Sequence, residues 1–211
     1  MFELLLITDR KISRLPLIYA VKAALEGGVD AVQLREKDLT SRELFEMAEE
    51  LRKLTATFNA KFIINDRVDV ALAVNADGVH LGWRSMPIKK VRALVGPEKL
   101  IGYSSHSLQE AQNAQDAGAD YITFSPIYKS RSKEVTPVGA DKIATLKKHI
   151  NIPIIALGGI DENNVGEVLR NGADGIAVIS SILAAENPLE AANRLRRKID
   201  LAFSPKKSKR E

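Results

Sequence analysis

A short tetrad recurs along the chain just ahead of apolar runs: Gly28-Val29-Asp30-Ala31, Asn75-Ala76-Asp77-Gly78, Gly118-Ala119-Asp120-Tyr121 and Gly172-Ala173-Asp174-Gly175. Gly and Asn tolerate the left-handed backbone that ends a helix, so each tetrad predicts a helix-to-strand turn. The tetrads lie 47, 43 and 54 residues apart, about two strand–helix units each, and 211 residues divide into eight units of roughly 26. The candidate strands agree with that count: Leu4–Thr8, Ala31–Lys37, Phe62–Asp66, Gly78–Gly82, Leu100–Ser104, Tyr121–Pro126, Ile152–Gly158 and Gly175–Ser181. Between them, apolar residues at three- and four-residue spacing predict amphipathic helices, as in Leu44, Met47, Ala48 and Leu51 or in Val165, Val168 and Leu169. Capping-box patterns at Thr40 to Glu43 and Ser107 to Glu110 sign two helix starts. Strands as continuously apolar as Ile152-Pro153-Ile154-Ile155-Ala156-Leu157 suit a parallel sheet buried on both faces. Strict alternation of eight strands and helices predicts an α/β chain forming a single (β/α)8 TIM barrel. The alternative is an open doubly wound sheet, but no GxGxxG follows the first strand.

Composition limits the partners. The chain is 45% hydrophobic and 27% charged, enough to bury one substantial core, and it has no cysteine, which removes disulfides, thiolate metal sites and thiol nucleophiles together. No run of eighteen apolar residues and no basic N-terminal region is present, so the sequence reads as having no membrane span and no signal peptide, with the cytoplasm as the expected compartment. The formal charge of +4 is concentrated at the end: Ser204 to Glu211 carries four Lys/Arg and one Glu, leaving +1 for the rest. Residues 1–203 are therefore expected to form the catalytic barrel, and 204–211 a disordered basic tail. Nucleic acid is not an expected partner, because phosphate-backbone recognition needs a broad basic face.

In such a barrel the chemistry gathers at the C-terminal ends of the strands. Gln33, Arg35 and Lys37 alternate, which puts all three on one face of the second strand, pointing inward. Two cations and an amide there call for an anion, or else an internal ion-pair layer with Asp9, Glu36 or Asp66. Gly158-Gly159 and Ser180, after strands seven and eight, occupy the usual place for a phosphate monoester. Asp66, just past strand three, is placed to bridge Mg²⁺ to a diphosphate, or to serve as a cap or a partner of Arg67. Ser130-Arg131-Ser132-Lys133 reads as a polar loop, either closing on phosphates or plainly solvated. His106 stands where an acid/base or orienting residue would act, His80 is expected inside the barrel, and His149 at a helix end.

Six segments then resemble one family in order and spacing. They are Gln33 to Lys37 (QLREK), Ile64 to Ala73 (INDRVDVALA), Ala76 to Gly82 (ADGVHLG), Ile101 to Ser107 (IGYSSHS), Ala156 to Ile160 (ALGGI) and Ala177 to Ser180 (AVIS). The chain resembles the thiamine-phosphate synthases and their sister group, the thiazole tautomerases, from about Leu4 to Ala202. The resemblance implies a (β/α)8 enzyme of thiamine biosynthesis that couples hydroxymethylpyrimidine diphosphate to a thiazole phosphate, with release of pyrophosphate. It implies that Gln33, Arg35, Lys37, Asn65, Ser104 and Lys133 hold the pyrimidine diphosphate and that Asp66 binds Mg²⁺. Ser130, Ser132, Gly159, Ile179 and Ser180 would hold the thiazole phosphate. A homodimer is implied as well.

The chain departs from the family in places. The synthases usually follow His-Leu-Gly with Gln-x-Asp, whose Asp is a second metal ligand; here the run is Gly82-Trp83-Arg84-Ser85. Ser125-Pro126 replaces the usual Gly-Pro, and Ser130-Arg131-Ser132-Lys133 replaces Thr-x-Thr-Lys. Losing a metal aspartate while keeping His106 leaves the tautomerase open as an alternative, with His106 as acid/base and no metal. A ligand-binding protein of the thiamine pathway without turnover is the further alternative. Arg35, Lys37, Asp66 and Lys133 are diphosphate equipment that a tautomerase does not need, and they favour the synthase.

Overall fold

The computed structural model describes residues 1–129 and 136–204. Eight parallel strands close into one barrel in sequence order. They are β1 (Leu4–Ile7), β2 (Ala31–Leu34), β3 (Lys61–Asn65), β4 (Gly78–Leu81), β5 (Leu100–Ser105), β6 (Tyr121–Phe124), β7 (Ile154–Leu157) and β8 (Gly175–Val178). The helices between them are α1 (Leu17–Glu26), α2 (Ser41–Thr57), α3 (Val68–Ala73), α4 (Ile88–Val95), α5 (Leu108–Asp116), α6 (Asp141–Leu146) and α7 (Val165–Arg170). A short α8 (Ser180–Leu183) and a long α9 (Pro188–Phe203) follow β8, and α9 packs on α1 beside the seam where β8 pairs with β1. No helix among the described residues is long and apolar enough to cross a membrane.

The tetrads end helices as their residues predict: Gly28, Asn75, Gly118 and Gly172 all have positive φ, between 49° and 99°. Their aspartates do more than turn the chain. Asp30 accepts from Leu4 N–H at 2.9 Å, Asp77 from Phe62 N–H at 2.9 Å, Asp120 from Ile101 N–H at 2.6 Å and Asp174 from Ile154 N–H at 2.8 Å. Each carboxylate thus closes the first free donor of the odd-numbered strand beside it, a group that would otherwise be buried unpaired. A cation following the preceding even-numbered strand neutralises each one: Arg196 at Asp30, Arg52 at Asp77, Arg92 at Asp120 and Lys147 at Asp174. The barrel floor is therefore a fourfold repeat of one two-strand device.

A recess of about 510 Å³ opens at this floor among Met1, Phe2, Lys61, Asp77, Lys99 and Leu100. It lies at the opposite end of the barrel from the polar strand ends. Its cations are already engaged, Lys61 by Asp77 and Lys99 by Asn75.

Apolar residues pack the outer layer against the helices, while Leu5, Ile7, Ala31, Tyr121, Ile155 and Ala177 fill the barrel together with Phe2. Tyr121 is the largest fully buried side chain. Gly102 makes room for it, because a Cβ there would collide with the tip of the Tyr121 ring and lie 2.5 Å from His80 Nδ1.

Seven strands end earlier than the alternation of apolar residues predicts, β1, β3, β4 and β7 by one residue and β2, β6 and β8 by two or three. β2 stops at Leu34 because side chains take over its donors: Arg35 N–H bonds Thr8 Oγ1 at 2.9 Å, and Glu36 turns in to accept from Arg10 N–H at 3.0 Å. β6 stops at Phe124, before the cis Ser125-Pro126 bond and a residue with no N–H to give. β7 runs only from Ile154 to Leu157, ahead of two positive-φ glycines, and Ser180, expected in strand eight, instead opens α8.

Candidate active site

Around the mouth of the barrel the structure gathers Gln33, Arg35, Lys37, Asn65, Asp66, Ser104, His106, Gly159, Ile179 and Ser180 within or just beyond strands β2, β3, β5, β7 and β8. Ser130, Ser132 and Lys133 lie outside the described residues, as does the basic tail from residue 205.

Of the three alternating residues, only Gln33 lies within the hydrogen-bonded part of the second strand. Gln33 is within β2 and buried, Arg35 is half-buried just past it, and Lys37 is exposed in the following turn. Buried Glu36, one of the carboxylates considered from sequence for an internal ion-pair layer, is engaged by a cation from the first strand's end. That cation is Arg10, whose guanidinium also grips Asp38 at 2.6 and 2.8 Å.

Gln33 is 1% exposed, and its Nε2 donates to Asn65 Oδ1 at 2.9 Å, while its Oε1 is buried without a partner among the described residues. Asn65 passes the polarity on, donating through Nδ2 to Asp66 Oδ2 at 2.7 Å. Asp66 adopts φ +60°, a conformation Asp tolerates better than most residues, and this turns the chain sharply after β3. Its other oxygen, Oδ1, accepts from the Ser85 hydroxyl, which in turn accepts from Gly82 N–H at 2.7 Å. Arg67 pairs with Asp69 rather than with Asp66. No group of three or more His, Cys, Asp or Glu stands together among the described residues. The donor set at Asp66 is one carboxylate, which fits a hard cation that brings its other ligands as water and substrate phosphate. Arg84 does not reach toward that carboxylate: its guanidinium lies 4.5 Å over the ring of Trp83, which is 76% exposed.

His80 lies inside the barrel, as expected. Nδ1 is 3.1 Å from the Tyr121 hydroxyl and Nε2 is 2.9 Å from Ser104 Oγ. Burial pushes its pKa down to about 4, so the imidazole is neutral near pH 7. His106 is exposed just past β5 and donates from Nδ1 to the Ser125 carbonyl at 2.7 Å, which leaves Nε2 directed elsewhere. The capping pattern at Ser107 also differs from a closed box. Ser107 Oγ caps Glu110 N–H at 3.1 Å, but the Glu110 carboxylate returns to His106 N–H at 2.6 Å. The helix start therefore anchors the backbone of His106.

Across the mouth, Gly158 and Gly159 have φ +106° and +64°. A Cβ on Gly159 would lie 2.6 Å from the Lys129 carbonyl oxygen, so only glycine lets the chain pass here. Ile179 caps the short α8, whose first residue is Ser180, and Ser181 Oγ ties this turn to the Ile160 carbonyl at 2.5 Å.

Several contributors were not singled out from sequence. Thr8 fixes Arg35 through its backbone, and Tyr121 and Thr123 stand behind Ser104. Alternation along β6 would have pointed the last two inward, but nothing local names their partners.

A closed (β/α)8 barrel with a buried amide, a carboxylate and cations on one side of its mouth, and a glycine–serine cradle on the other, belongs to the class of barrel enzymes that handle phosphorylated small molecules. Comparisons give the family. A model of the family described as "Thiamine monophosphate synthase" matches residues 4–182. A putative thiamine-phosphate synthase of Geobacter sulfurreducens is 48% identical over 100% of this chain and 98% of that protein. The thiamine-phosphate synthase of Clostridium acetobutylicum is 43% identical over 88% of this chain and 89% of its own. The crystal structure of thiamine phosphate pyrophosphorylase from Pyrococcus furiosus superposes with a TM-score of 0.89 at 40% identity, covering 96% of this chain and 97% of that one. The chain belongs to the thiamine-phosphate synthase family and is an enzyme of the transferase type.

Proposed function

We propose that the two sides of the barrel mouth hold two phosphorylated substrates facing each other and join them by ionisation of one and attack by the other. The enzyme condenses 4-amino-5-hydroxymethyl-2-methylpyrimidine diphosphate with thiazole phosphate, giving thiamine monophosphate and pyrophosphate. The carbon–oxygen bond to the diphosphate breaks with its electron pair leaving on pyrophosphate. The aminopyrimidine ring stabilises the cation left on its methylene, and the thiazole nitrogen lone pair closes the new bond.

The observation that carries this division of the mouth is Gln33. Its Oε1 is a buried acceptor without a donor among the described residues, a state that costs about 1–3 kcal/mol, and a pyrimidine amino group supplies the missing proton. Asn65 holds the amide in that orientation. Arg35 and Lys37, with Lys133, set positive charge on the diphosphate side before the bond breaks, where it favours the separating charges. Ser104 donates to the same group. Asp66 would hold Mg²⁺, which neutralises charge on a leaving diphosphate. Gly159, Ile179 and Ser180, with Ser130 and Ser132, receive the thiazole phosphate, for which the glycine backbone and the first turn of α8 offer N–H donors. His106 shapes the rim through its bond to Ser125.

We also propose the cytoplasm as the compartment, from the sequence reading, and a homodimeric state, from the family resemblance. Growth of a thiamine-requiring synthase deletion strain tests the function as a whole. Complementation by this gene is the expected result, and a failure to complement by well-expressed protein would refute the assignment.

A further inference from the structure

We propose that Tyr121 and His80 form a hydrogen-bond relay of fixed polarity that aims the Ser104 hydroxyl proton out of the barrel, making both residues positioning residues for Ser104. The direction follows from the Tyr121 end. Its phenol is fully buried, and among the described residues its hydroxyl has one partner, His80 Nδ1 at 3.1 Å. A buried phenolic proton needs an acceptor, so Nδ1 accepts. An imidazole whose Nδ1 accepts carries its proton on Nε2. Nε2 is 2.9 Å from Ser104 Oγ and donates to it. Thr123 Oγ1 adds a longer contact, 3.4 Å from Nε2 and 3.5 Å from Ser104 Oγ.

Ser104 Oγ is therefore an acceptor on its inner side, and its own proton is left for the mouth, toward which half-buried Ser104 opens. The opposite polarity would strand the Tyr121 proton and turn lone pairs toward the ligand. Phosphoryl oxygens are acceptors only, so the inferred polarity selects an anionic phosphoryl group at Ser104. The packing is built for the pair, since any side chain at Gly102 would displace both rings.

The inference rests on the placement of the pyrimidine diphosphate at Ser104, and the test separates the two. Nitrogen-15 spectra of histidine-labelled wild-type protein read the tautomer without any ligand, and His80 is expected as the Nε2–H form. Tyr121→Phe keeps the shape and removes the phenol, and kcat/KM for the pyrimidine diphosphate should fall about tenfold. Because Tyr121 acts through Ser104, the Tyr121→Phe/Ser104→Ala double variant should be no slower than Ser104→Ala alone. An Nδ1–H tautomer in the wild type, or a further tenfold loss in the double variant, overturns the relay. Wild-type kinetics in Ser104→Ala would instead overturn the placement of the substrate at Ser104, whatever the spectrum reads.

Discussion

The Ser85 hydroxyl donates to Asp66 Oδ1 and accepts from Gly82 N–H at 2.7 Å, so the residue at the position where the family resemblance implies a second metal aspartate is hydrogen-bonded to the first. Asp66 is thereby held by two donors, Ser85 on one oxygen and Asn65 on the other. A carboxylate oxygen accepts more than one bond, so both retain capacity for a cation. A metal ion proposed at Asp66 would meet one carboxylate there among the described residues rather than two.

Ser85→Asp restores the second charge. Without metal, two carboxylates in contact repel, and the variant should melt below wild type. Added Mg²⁺ should reverse the loss, and the Mg²⁺ concentration for half-maximal rate should fall by on the order of tenfold. Thermal melts and rate titrations across Mg²⁺ measure both, and an unchanged Mg²⁺ dependence would contradict the assignment of Asp66.

Gln33→Met separates binding from folding. It removes the Nε2 bond to Asn65 but also the buried orphan acceptor, so stability should stay within about 1 kcal/mol of wild type. Losing the amide proposed to read the pyrimidine amino function should lower kcat/KM by about a hundredfold. Denaturant midpoints and steady-state rates are the two measurements.

Gly159→Ala places a methyl 2.6 Å from the Lys129 carbonyl oxygen at φ +64°. The strain should cost about 1–3 kcal/mol, with roughly 2–4 °C lost per kcal/mol. KM for the thiazole phosphate should rise more than KM for the pyrimidine diphosphate, and kinetics with each substrate varied in turn will show it.

Acid should destabilise the fold through His80. Its pKa is about 4 in the folded chain, against 6.5 for an exposed imidazole. Between those values the unfolded chain binds a proton that the folded one refuses. The contribution is fully present above pH 6.5 and is lost as pH falls toward 4, roughly 3 kcal/mol in all. Urea unfolding at pH 7 and pH 4.5 should show a smaller loss in His80→Gln than in wild type.

Eight strands were legible because each is an apolar run, and the Gly/Asn–Asp tetrads mark the starts of the four even-numbered ones. Strand ends were not, because the bonds that stop β2 come from Thr8 and Glu36, side chains whose reach across the chain has no local signature. The aspartates of the tetrads were legible as turn residues only, since each one's donor lies 15 to 27 positions away. The same holds at the site. Gln33, Asp66, Gly159 and Ser180 stand out by type and position, whereas the link from Tyr121 through His80 to Ser104 joins three strands and becomes visible only when the barrel closes.

Purified protein with both substrates and Mg²⁺ should release thiamine monophosphate and pyrophosphate in equal amounts, and Asp66→Ala should be severely impaired. Absence of both products under conditions where another synthase of the family turns over, together with aromatisation of a thiazole carboxylate phosphate that His106→Ala abolishes, would contradict the account and make the protein a tautomerase.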